Sequence, residues 1–130
     1  MKKINYKNIY PVYTKEISKE NIIIDNVDDI CKFFIDKINS HPFATYIGIF
    51  DHYGHTNNIE GNEIHENIKN AKNVNFCFGK KLLDPKVLAV RPRSIGVCEM
   101  ETHFIISFME PPNPALIEVM ILWVNELLCT

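Results

Sequence analysis

Residues 95–128 read IGVCEMETHFIISFMEPPNPALIEVMILWVNELL, and this stretch decides the fold. Ile95 and Val97 alternate with Gly96 and Cys98. After a tight connection near Met100 and Glu101, Phe104, Ile106 and Phe108 alternate with His103, Ile105 and Ser107. A period of two puts each set on one face of a strand, so the pair is expected as a β-hairpin whose apolar faces match in register. Pro111-Pro112-Asn113-Pro114 ends the sheet and opens a helix, because Asn113 is a good N-cap and Pro114 suits the first helical position. Between Ala115 and Leu128 only Glu118, Asn125 and Glu126 are polar. A helix lying against one side of a sheet should keep a broad polar face. This one does not, so either it is wrapped on nearly all sides or it packs against a second chain. A chain of 130 residues has little material to cover it twice. A homodimer with the C-terminal helix at or near the interface is the expectation.

Toward the N-terminus, Val74, Phe76 and Phe78 alternate with Asn75 and Cys77 up to Gly79, and Phe43 to Phe50 is a β-branched and aromatic run bounded by Pro42 and Asp51; both read as strands. Ile64, Ile68 and Ala71 mark one face of a short helix from about Glu60 to Lys72, and Val87 to Val90 suggests a short extra strand. Val27, Ile30, Cys31, Phe34 and Ile38 recur at helical spacing to about Asn39. Asp25 or Asn26 caps that helix, Asp28 and Asp29 suit its positive end, and Ser40-His41-Pro42 stops it. Residues 1–20 alternate loosely and read as extended, with Pro11 marking an edge or irregular position. The order β-α-β-(α)-β-β-β-α predicts one α+β domain over residues 1–130: two layers, a mainly antiparallel sheet and helices on one face.

Hydrophobic residues make up 46% and charged residues 23%, a globular composition that argues against disorder. With 14 basic and 16 acidic side chains the formal net charge is −2, which disfavours nucleic acid as a partner. No stretch approaches the ~18 apolar residues that a membrane span needs, so no membrane partner is expected. Met1-Lys2-Lys3 has the charge that opens a signal peptide, but the apolar run that should follow is missing. Cys31, Cys77, Cys98 and Cys129 form no C-x-x-C pair and sit beside apolar neighbours, as reduced thiols do. A cytoplasmic location is the expectation.

Phe50-Asp51-His52 closing one strand and Phe78-Gly79 closing the next, followed by the hairpin and terminal helix, resemble a group of small uncharacterised bacterial domains. That group is similar to a single repeat of the TATA-binding-protein-like β-α-β4-α arrangement. The resemblance covers roughly Phe43 to Pro114 and implies a paired domain with no established chemistry.

Three constellations carry candidate chemistry. Arg91-Pro92-Arg93-Ser94 holds both arginines of the chain, and guanidinium forks grip carboxylate or phosphate bidentately. With Lys80 and Lys81 they are expected to frame an anionic small molecule; pairing with Glu99, Glu101 or Glu110, or with acidic residues across a dimer, is the competing reading. Asp51, His52 and His55, with His65 farther on, are ligand types for a divalent metal and suggest a metal-dependent enzyme as the alternative. Cys98 and His103 would lie side by side if the hairpin turns at Met100 and Glu101, a geometry that activates a thiol; a packed thiol near a surface histidine is the plainer reading. The sequence alone does not decide whether the chain is an enzyme.

Overall fold

The computed structural model describes residues 1–130. Its elements in chain order are β1 (Lys2–Tyr6), β2 (Tyr10–Ser18), α1 (Val27–Ser40), β3 (Ala44–Phe50), α2 (His52–Asn57), β4 (Asn70–Phe78), β5 (Arg93–Glu99), β6 (His103–Met109) and α3 (Pro114–Leu128). The strands form one six-stranded sheet in the order β1-β2-β6-β5-β4-β3, every pairing antiparallel. This is the expected α+β architecture. No helix is long and apolar enough to cross a membrane.

Alternation builds the core. Phe76, Ile95, Val97, Phe104 and Ile106 project from one sheet face and are buried among Ile30, Phe34 and Ile38 of α1 and Met120, Trp123 and Leu127 of α3. Each such side chain stabilises the fold by about 1.5–3 kcal/mol on burial. Asn26 caps α1 by accepting from Asp29 N at 2.8 Å, which settles the choice between Asp25 and Asn26. Asn113 caps α3 by accepting from Ala115 N at 3.0 Å, with Pro114 in the first turn as expected. The opposite sheet face presents Ala71, Asn73, Gly96, Cys98, Ile105 and Ser107, with α2 beside Ala71 at one end and the 80–92 segment beside Asn73, Gly96 and Ser107 at the other.

Four local expectations are corrected. The N-terminal segment is extended as expected, but as two strands of a hairpin, Lys2–Tyr6 and Tyr10–Ser18, rather than one, with Tyr6 opposite Tyr10 and Lys3 opposite Tyr13; its charged outer strand hid the alternation. The helix expected from Glu60 to Lys72 is absent: the helical turn falls earlier, in α2, and Asn70 already begins β4. Gly61, at φ +77°, interrupts helical backbone there, and Ile64, Ile68 and Ala71 border the same small cavity as Tyr53 and Thr56 of α2. Val87 to Val90 belongs to a 3-10 helix, Pro85–Val90, started by Pro85 and by the Asp84 carboxylate accepting from Lys86 N at 2.9 Å. In the hairpin Cys98 stands opposite Ile105 and Glu99 opposite Phe104, so Cys98 and His103 share a face but are not neighbours across the strands.

The last helix is covered more fully than its composition suggested. It lies beside α1, with Lys37 paired to Glu126. Met120, Trp123, Val124 and Leu127 are buried, and Leu116, Val119, Ile121 and Leu128 pack against them. What remains outside is Pro114 and Ala115 at its start, then Glu118, Leu122 and Asn125, with Leu122 54% exposed.

Candidate anion-binding cavity

β4 ends at Phe78, and Gly79 N donates to Phe43 O at 3.1 Å, which fixes where the chain leaves the sheet. Residues 80–92 then cross the sheet's end through the 3-10 helix and return at Arg93. Between this crossing and the start of α3 lies a cavity of about 350 Å³, bordered by Lys80, Lys81 and Arg91 and by Asn113, over a floor that includes Phe43 and Phe78. No carboxylate lines it. Arg91 Nη1 donates to the Lys81 carbonyl at 2.7 Å, which aims the guanidinium and leaves its other N–H groups unspent. Lys80 Nζ stands 5.4 Å from the centroid of the Phe43 ring. The first amides of α3 are already taken, Ala115 N by the Asn113 side chain and Leu116 N by the Asn113 carbonyl. The helix therefore contributes its positive end rather than free amides, and Lys80, Lys81 and Arg91 are the cationic residues on the cavity's border.

Three of the four cations singled out in the sequence thus meet in one cavity, and the fourth does not. Arg93 turns inward and braces the sheet's end: Nη1 donates to Val90 O at 3.1 Å and Nη2 to Met109 O at 2.5 Å. Burial pulls its pKa below the usual arginine value, though an arginine keeps its proton at any ordinary pH. It borders a smaller neighbouring cavity of about 190 Å³ together with Arg91, Pro111 and Leu116. Within the chain neither arginine forms an ion pair: Glu99 pairs with Lys19 and Glu110 with Lys3, both at 2.7 Å. Sequence reasoning missed Asn113 and Phe43 as parts of the site; the helix-start signal at Asn113-Pro114 was the cue available for the first.

The candidate metal ligands are not gathered. Asp51 Oδ1 accepts from Gly54 N at 3.0 Å as the cap of α2, and a Cβ on Gly54 would meet Asp51 Oδ2 at 2.4 Å, so a side chain there would push the capping carboxylate aside. His52 Nδ1 lies 3.1 Å from Thr56 Oγ1, and the His52 and His55 rings lie against Phe50 at 5.2 and 5.4 Å. His65 Nδ1 accepts from Asn67 N at 3.1 Å. His52 and His65 border one small cavity that Asp51 and His55 do not reach. Nowhere do three or more histidine, cysteine, aspartate or glutamate side chains stand as a metal ion requires. Asp51, His52, His55 and His65 therefore do not converge on one point in this structure.

A family model described as a family of unknown function (DUF6858) matches residues 1–129. No curated protein and no solved structure matches the chain.

Proposed function

The chain belongs to the DUF6858 family of unknown function, and from that premise we propose that it is a small binding domain that takes an anionic small molecule at Lys80, Lys81 and Arg91. The observation that carries this reading is the cavity at the start of α3, where three cations converge and no carboxylate answers them. Uncompensated cations beside a positive helix end favour a phosphate or carboxylate ligand, and the Phe43 and Phe78 rings add apolar surface for its carbon skeleton. Arg93 supports the site from behind through Val90 O and Met109 O.

The domain pairs with a second copy through the outer strip of α3, where Leu122 is exposed between Glu118 and Asn125. The element order after β1 fits the single-repeat arrangement that the sequence resembles. Four free thiols fit a reducing, cytoplasmic setting of the kind such bacterial domains occupy.

Thermal denaturation with inorganic phosphate, pyrophosphate and citrate tests the ligand. A ligand at a hundred times its Kd stabilises by about 2.7 kcal/mol, and that gain should vanish in Lys81→Gln/Arg91→Gln. No shift with any anion, or the same shift in the double variant, removes the reading. Sedimentation velocity of the wild type against Leu122→Glu tests the pairing: a dimer that dissociates supports it, and a wild-type monomer ends it.

A further inference from the structure

Strand register sorts the surface of this molecule by end. The end where β2, β4 and β6 meet the β1–β2 turn, the 80–92 crossing and the start of α3 collects eight of the fourteen exposed large apolar side chains. Tyr6, Ile9 and Tyr10 lie at the turn, and Leu82, Leu83 and Leu88 lie on the crossing. Leu83, at 84%, is the most exposed large apolar side chain of the chain, and Leu82 is 70% exposed. The crossing is tied by Gly79 N to Phe43 O, by Asp84 to Lys86 N and by Arg91 to Lys81 O.

Charge is sorted the same way. Lys80, Lys81, Lys86 and Arg91 flank the leucines, and the one carboxylate of the crossing, Asp84, is occupied with a backbone amide. Lys7 adds a cation at the β1–β2 turn, on the same end of the sheet. The opposite end, where β3 and β5 finish and α1 starts, holds Asp25, Asp28, Asp29, Asp51, Glu99 and Glu101, of which Asp28 pairs with Lys72 and Glu99 with Lys19. A chain with net charge −2 therefore presents a cationic, apolar end and an acidic far end, and an anionic plane would orient it apolar end first.

We infer that this end docks on an anionic lipid surface, Leu82 and Leu83 entering the acyl boundary while Lys80, Lys81 and Arg91 take lipid phosphate in the cavity. The inference rests on the anion-binding reading above and names the source of the anion as a lipid headgroup. Charge complementarity fits an anionic surface, and the form of the apolar surface points to lipid: exposed single leucines flanked by lysines, with Tyr6 and Tyr10 on the same end of the sheet, the side-chain types that settle at membrane interfaces. The sequence expectation of no membrane partner rested on the lack of a spanning segment, which does not bear on contact with a surface.

Vesicle co-sedimentation of the full chain tests this, with phosphatidylcholine vesicles against phosphatidylcholine–phosphatidylglycerol vesicles. Binding is expected only to the anionic vesicles and should fall steeply toward ~1 M salt, where the screening length shrinks to about 3 Å. Leu82→Ser/Leu83→Ser changes two exposed residues and should fold as the wild type does by circular dichroism. Its vesicle partition should drop at least about tenfold, since one buried leucine is worth that much, while its thermal shift with inorganic phosphate stays at the wild-type value. Equal binding to neutral vesicles, no sedimentation with anionic ones, or undiminished binding by the serine variant overturns the membrane proposal. If phosphate still binds in those cases, the cavity reading survives alone. Loss of a dimer in the serine variant would assign the leucines to a protein interface and likewise overturn it.

Discussion

Arg91 Nη1 donates to the carbonyl oxygen of Lys81 at 2.7 Å across the ten residues that separate them. The bond closes the 80–91 segment on itself and sets two cations of the cavity side by side. Arg91→Lys keeps the charge and loses the fork. A charge-assisted hydrogen bond contributes roughly 1.5–3 kcal/mol, so phosphate affinity in this variant should fall at least about tenfold by titration calorimetry. Equal affinity in Arg91→Lys would show that the fork takes no part.

Arg93 should behave differently, although it lies two residues away. Its guanidinium serves Val90 O and Met109 O, so Arg93→Ala strips two carbonyls of their donor and opens a gap under Pro111. Unfolding in urea should show a loss on the order of 1–3 kcal/mol, with phosphate affinity changed less than by Arg91→Lys. A fully stable Arg93→Ala protein would contradict the bracing role.

The His41 ring stands edge-on to Phe43 and Phe78, with centroids 4.4 and 5.2 Å away, and its Nδ1 accepts from Phe43 N at 3.4 Å. Burial against these rings holds its pKa below the ordinary 6.5. The unfolded chain then binds the proton more readily than the folded one. His41 therefore leaves stability undiminished above the ordinary value and erodes it as pH falls through 6.5 toward the lowered folded value. Urea midpoints measured from neutral pH downward should fall, and His41→Gln should flatten that decline.

Burial pushes the Cys31 thiol up to about 11, whereas Cys129 is exposed next to the chain's end. A chromogenic disulfide reagent at mildly alkaline pH should label Cys129 first and Cys31 only after denaturant is added. Rapid labelling of Cys31 in the folded protein would show that the contacts between α1 and the sheet open easily.

The hairpin of β5 and β6 and the helices α1 and α3 were legible because their apolar residues repeat at two or at 3.6 residues and each side chain answers to one face. α2 was not, since His52–Asn57 has no apolar stripe; Asp51 capping Gly54 makes the turn, and Ile64 and Ile68 imitated a helix while packing beside it. β1 was obscured because an edge strand buries little. At the candidate site the residue types were readable, but not their division of labour. Arg91 and Arg93 look alike in sequence, and what separates them is the distant Met109 carbonyl. The apolar count of α3 overstated its exposure, because position relative to α1 decides burial and composition does not record it.

Backbone amide chemical shifts followed while inorganic phosphate is added test the anion cavity most directly. Saturable movements confined to Lys80, Lys81, Arg91 and the first turn of α3 from Asn113 to Leu116 are the predicted result. A spectrum in which those amides stay still, or move no more than those of Asp51 to His65, would contradict it.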